Sequence, residues 1–293
     1  MSAPAEPDAV LIFLHIPKTA GVTLNTLIDR HYPPEAIYHT NIDTLDEFFA
    51  LTDAEKQPIR CLRGHMPFGL HRWMPRPATY ITLLRDPVTR FVSEYYYVRH
   101  NPAHPRHRRF LEEGTTLHEY TERHGGDTMT RWISGFYDYD ARKSWVSADW
   151  TAEEAAQAGD IARRNLATQF QAVGVTERFD EFLLLLRRRL GWGNVFYLKL
   201  NVTSGRPAKE ALAPETRALI EARHRLDTEL YALAHRLLDA QLRETGVTRT
   251  EVQAFRLLNR LYTDVWQRHN LPGKIHRGRR IISQLPAKLR PGG

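Results

Sequence analysis

The sequence predicts an α/β protein: a mainly parallel central sheet flanked by helices, with a helical C-terminal extension. Three observations predict it. Apolar runs such as residues 10–16 and 80–84 show no polar alternation, as expected for strands buried on both faces of a parallel sheet. Helical patterns alternate with these runs along the chain. The chain's 293 residues, 42% apolar and 26% charged, suffice for a large folded core.

The elements follow in order. Residues 10–16 read as the first strand, and Leu24, Leu27 and Ile28 mark a helix over 22–30. A short strand is expected at 59–63, just before Gly64-His65. The run 80–84 ends at Arg85-Asp86-Pro87, where Asp86 can cap a helix and Pro87 can occupy its first position. Val88, Phe91, Val92 and Tyr95 give that helix an apolar face. Residues 100–160, rich in His, Trp, Tyr, Gly and Pro, read as helices and loops over the ligand edge of the sheet. Strands are expected at 171–175 and 195–200, with a helix at 180–190 between them. After Pro214 one long helix is expected, with Leu226, Leu230, Leu233 and Leu237 on one face, and a second helix over 249–268. The domain division expected is 1–245 for the main domain and 246–293 for a C-terminal helix and basic tail.

The net charge of +7 is local. Residues 265–293 hold Arg268, Lys274, Arg277, Arg279, Arg280, Lys288 and Arg290 and no acid, so the rest of the chain is balanced. Such a tail is either a solvated extension or a surface for membrane phosphates or a polyanion. The balanced body and the lack of a recognition motif argue against nucleic acid as a partner. No apolar run reaches the length of a membrane span, the N-terminal residues lack a secretory pattern, and Cys61 is the only cysteine. The expected location is therefore cytoplasmic, with membrane association through the tail left open.

Three strand ends carry candidate chemistry, because open α/β sheets bind ligands beyond the carboxyl ends of their strands. At the first, Pro17, Lys18, Thr19, Ala20, Gly21, Val22 and Thr23 lead into a helix N-terminus. Small residues permit close approach, the helix supplies N–H groups and a positive dipole end, and Lys18 adds a full charge. This is an anion cradle or, alternatively, a loop with a solvated lysine. It is not a Walker motif, since Phe13, Leu14, His15, Ile16 and Pro17 precede the lysine without a glycine. At the second, Arg85 leaves the strand, while Arg90 and Ser93 lie along the following helix. An arginine fork and a hydroxyl suit a dianionic phosphate; the alternative is an arginine paired with a carboxylate. At the third, His65 follows Gly64 and is a candidate general base, although a lone histidine is more often structural. His100, His104 and His107 have metal-like spacing, but Pro102 and Pro105 break the helix that would align them. The histidine stretch and Arg131-Trp132 lie on the expected acceptor side, where the histidines read either as a basic rim for a sulfated or uronate-bearing acceptor or as a plain solvated loop.

The PKTAG-x-T segment and the RDP-x-x-R-x-x-S segment together resemble the sulfotransferases that use PAPS (3′-phosphoadenosine 5′-phosphosulfate). The resemblance points to the heparan and chondroitin uronyl 2-O-sulfotransferase-like branch and its bacterial relatives. It extends through residues 163–186 and 201–207, covering about 10–240. It implies a P-loop-NTPase-like parallel sheet and PAPS as co-substrate without a metal. Residues 17–23 would hold the 5′-phosphosulfate, with Arg85 and Ser93 on the 3′-phosphate. His65 would be the base and Lys18 the group facing the leaving phosphate, with a carbohydrate or other hydroxyl-bearing acceptor. Arg63 stands where that branch has a histidine. The alternatives are a nucleotide-dependent kinase with an atypical phosphate loop, and a non-catalytic polyanion- or membrane-binding protein working through the tail.

Overall fold

The computed structural model describes residues 8–135, 150–198 and 209–269. Five strands form one sheet: β1 (Val10–Leu14), β2 (Ile37–His39), β3 (Cys61–Gly64), β4 (Ala78–Leu84) and β5 (Phe170–Val175). Their order is β2-β3-β1-β4-β5 and every pairing is parallel. β1 is central and completely buried, which explains its unbroken apolar run. Leu14 pairs with Gly64 on one side and Thr82 on the other, so the ends of β3 and β4 flank the end of β1.

Twelve helices surround the sheet among the described residues. The first half supplies α1 (Gly21–His31), α2 (Leu45–Ala50), α3 (Asp53–Lys56) and α4 (Pro87–His100). Three short helices follow, α5 (His107–Glu112), α6 (Leu117–Arg123) and α7 (Thr128–Ser134). The second half supplies α8 (Ala152–Thr168), α9 (Phe179–Leu190), α10 (Pro214–Arg223), α11 (Arg225–Glu244) and α12 (Arg249–His269). The helices α8, α9 and α11 pack on β5. A second, smaller cluster joins Phe91, Val92 and Tyr95 of α4 to Phe110, Tyr120 and Ile220. The helices α5, α6 and α10 are therefore built on α4. Val252 and Phe255 of α12 are buried in the main core.

Two expectations fail for physical reasons. No strand forms over 195–198, and 199–200 lie outside the described residues. Tyr197 instead donates its N–H to Asn259 Oδ1 at 2.8 Å and its hydroxyl to Asp180 Oδ1 at 2.9 Å, while Phe196 stacks on Phe255. The free edge of β5 is already occupied: Gln241 Oε1 accepts from Val173 N at 3.1 Å and its Nε2 donates to Gln171 O at 3.3 Å. The helix after Pro214 is broken at His224, whose Nδ1 accepts the N–H of Asp127. The fully buried row of α11 runs Leu226, Leu230, Ala234 and Leu238, with Leu233 and Leu237 only partly buried beside it. The basic tail lies almost wholly outside the described residues.

Candidate active site

Beyond β1 the chain forms a tight loop. Lys18 and Ala20 take left-handed backbone angles, φ 69° and 67°. Alternation of this kind turns successive N–H groups toward one point and makes an anion nest. Thr19 is fully buried and donates its hydroxyl to Ile16 O at 2.8 Å, so it braces the loop. The helix α1 begins at Gly21 with no side-chain cap and no acid in its first turn. Its N-terminus therefore keeps its positive character. Thr23 is buried and Val22 points outward.

Arg85 follows β4 and donates from Nη1 to Lys18 O at 3.1 Å. Asp86 caps α4 by accepting the Thr89 N–H at 2.9 Å, and its other oxygen takes Lys209 Nζ at 2.8 Å. Ser93 is buried on α4, and Tyr97 lies one turn later on the same face. The Lys18 ammonium sits 3.7 Å from the centre of the Tyr97 ring. That contact turns the Ser93–Tyr97 face of α4 toward the loop. Arg90 does not join it. It is completely buried, paired with Glu94 at 2.8 Å and Thr128 at 2.9 Å, and is structural.

His65 stands beyond β3. Gly64 is required before it: its φ is +145°, and a Cβ there would lie 1.7 Å from Thr40 O. The His65 Nδ1 lies 2.7 Å from the carbonyl of His15. A carbonyl only accepts, so Nδ1 carries the proton and Nε2 keeps its lone pair. Burial holds the His65 imidazole below its ordinary pKa, and Lys18 adds to this while the His15 carbonyl opposes it. The ring is therefore neutral at pH 7. Arg63, at the neighbouring position in β3, is committed elsewhere: it bonds His39 Nε2 and Asn25 O and pairs with Asp29 at 2.6 Å.

The structure thus gathers the loop 17–23, Arg85, the Ser93 face and His65 at one sheet edge. Reading the sequence missed two participants, His15 and Tyr97, while Trp132 stands where the acceptor side was expected. His15 lies between Gly21 and His65, Tyr97 holds Lys18, and Trp132 stands 6.4 Å from His65, edge to face. Tyr97 was hidden in a run of three tyrosines. Of these, Tyr95 is core, donating its hydroxyl to Thr115 O. Arg131 is buried, 3.8 Å over Trp150 and bonded to Gly126 O, so it is no rim residue. His104 does approach, packing on the edge of Tyr97 at 5.8 Å. Among the described residues the one group spaced to hold a metal is Asp127, His224 and Asp227. Three of its atoms carry structural bonds: both Asp227 carboxylate oxygens accept from Met129 N, Thr130 N and the Thr130 hydroxyl, and His224 Nδ1 accepts from Asp127 N.

This geometry sets an anion-binding loop beside a neutral imidazole. The model of the galactose-3-O-sulfotransferase family matches residues 2–267, and the chain belongs to that family. Human galactose-3-O-sulfotransferase 2 is 30% identical over 214 residues, covering 69% of this chain and 51% of that protein. Chicken heparan sulfate 2-O-sulfotransferase 1 is 26% identical over 214 residues, covering 63% of this chain and 56% of that protein. A crystal structure of mouse sulfotransferase SULT7A1 complexed with PAP aligns at a TM-score of 0.31 with 14% identity, covering 78% of this chain and 89% of that one. The chain spans about half the length of the curated relatives it matches. These relatives also correct the expected location: they are Golgi-resident enzymes, so the cytoplasmic expectation does not stand. Among the described residues no helix is long and apolar enough to cross a membrane.

Proposed function

We propose that this chain moves a sulfuryl group from PAPS to a hydroxyl of a carbohydrate acceptor. The observation that carries the proposal is the meeting of the Lys18 loop with both Arg85 and His65 at the end of the central strand. The family supports the same reaction class.

PAPS supplies a sulfuryl group on a phosphate leaving group. The loop 17–23 fits its 5′ end: left-handed Lys18 and Ala20, the uncapped start of α1 and the Lys18 ammonium all favour a compact anion. Arg85 and Ser93 are assigned to the 3′-phosphate. Their binding energy fixes the donor's orientation rather than acting at the reacting atoms. His65 takes the acceptor proton at Nε2, because Nδ1 is held protonated by the His15 carbonyl. Lys18 leaves Tyr97 to meet charge growing on the leaving oxygen. Thr19 holds the loop through its hydroxyl, which donates to Ile16 O. His104 and Trp132 mark the side from which the sugar enters, next to Lys18 and His65 respectively.

Calorimetric titration with adenosine 3′,5′-bisphosphate, without metal and against 5′-AMP, tests the donor site. Micromolar binding that depends on the 3′-phosphate is expected. Equal weak binding of both nucleotides would remove PAPS from the proposal.

A further inference from the structure

His15 has no place in the donor cradle and is not the base, yet it holds both the tautomer of the base and the residue before it. Its backbone carbonyl sets the His65 tautomer at 2.7 Å. Its own N–H bonds Gly64 O at 3.0 Å, holding the residue before His65. Its imidazole lies 4.3 Å from the His65 ring and stacks at 5.2 Å on Phe13. On the opposite side the ring fills the space a side chain at Gly21 would need, with Nε2 only 1.9 Å from the position of such a Cβ. Gly21 is the first residue of α1 and lies within the anion cradle 17–23. One buried ring therefore touches both the cradle and the base.

We propose that His15 is a positioning residue: its imidazole couples the phosphate loop to the His65 ring, so that occupancy of the loop sets the orientation of the base. This rests on the sulfotransferase reading above. Close packing carries the coupling, since a well-packed ring transmits displacement rather than absorbing it. The groups facing the pair are known. His65, Lys18, His39 and Arg63 surround His15, and Lys18, His15 and Trp132 surround His65. Burial, then these neighbours, keep the His15 ring neutral. It acts by shape, not by charge.

The test uses the full chain with adenosine 3′,5′-bisphosphate as probe. Ring-nitrogen NMR follows His65, assigned through His65→Gln, in the wild type, His15→Ala and His15→Phe. Calorimetry measures nucleotide affinity in each. In the wild type, His65 is expected as the Nδ1–H tautomer, and its signals shift on nucleotide binding. In His15→Ala, affinity stays within about fivefold. The nucleotide-induced shift falls at least threefold, and the His65 titration midpoint rises toward the ordinary histidine value as water reaches the ring. His15→Phe keeps the shape and restores the response. A His65 that titrates and responds in His15→Ala as in the wild type would overturn the coupling. If His15→Ala does not fold, His15→Asn replaces it against His15→Phe, with the same expectations. Failure of the wild type to bind the nucleotide at all instead overturns the donor reading, and the coupling with it.

Discussion

Arg85 donates a hydrogen bond from Nη1 to the backbone carbonyl of Lys18, at 3.1 Å. Sixty-seven positions apart in sequence, these two residues belong to different strand ends. The bond makes the two sites mechanically one. Arg85→Ala should weaken adenosine 3′,5′-bisphosphate binding about 10- to 100-fold, as loss of a charged hydrogen-bonding group typically does. Arg85→Lys should recover little of it, because an ammonium cannot span a phosphate and a carbonyl as a guanidinium fork does. Calorimetry decides; an unchanged affinity removes Arg85 from the site.

Lys18→Ala should lower transfer by about two to three orders of magnitude. Nucleotide binding should suffer much less. Tyr97→Leu removes the ring on which the ammonium rests at 3.7 Å. It should lower turnover by less than Lys18→Ala, and Tyr97→Phe should be nearly neutral because the π-face is kept. Parallel loss of binding and turnover in Lys18→Ala would count against a role at the leaving group.

His65→Ala should abolish transfer while leaving nucleotide affinity within about threefold. The acid limb of the pH–rate profile should lie below the ordinary histidine range, because burial depresses the His65 pKa. A variant with full activity would exclude His65 as the base.

Gly21→Ala should disturb the site from inside. The added methyl would meet the His15 ring at 1.9 Å. Overpacking of this kind costs about 1–3 kcal/mol. A lower melting temperature and weakened nucleotide binding are expected together. A variant with native stability and affinity would show that the ring has room to move.

Folding stability should fall as pH drops below about 6.5, the unfolded-state histidine value. His15 and His65 both have depressed pKa values when folded, chiefly through burial. Between those values and 6.5 the unfolded chain binds more protons, so stability rises with pH there. Each histidine contributes a slope of about 1.4 kcal/mol per pH unit while only the unfolded form is protonated. His15→Phe should flatten the dependence in denaturant titrations at pH 5, 6 and 7. An equal slope in that variant would place the effect elsewhere.

The central strands were legible because burial on both faces leaves an unbroken apolar run. The Asp86 cap and Pro87 were legible because helix starts are written in local chemistry. The strand expected at 195–200 misled because Val195 and Tyr197 are buried against helices, and burial alone looks the same in either setting. Arg90 misled for a similar reason. Its spacing from Ser93 suits a phosphate, but Glu94 and Thr128 claim it first. His15 was passed over as the end of a strand, because its partners Gly21 and His65 meet it only through the fold.

The strand order has a consequence for how the chain must be made. The residues paired with β1 in register lie 50 positions away, Leu11 with Cys61, and 68 positions away, Val10 with Ala78. During synthesis at about 5–20 residues per second, the five apolar residues of β1 wait roughly 3–10 s for a neighbour. Long-range parallel pairing of this kind is slow to form and exposes a sticky segment meanwhile. The strand that later anchors the whole catalytic edge is thus the one most in need of a chaperone's shelter while the chain is young.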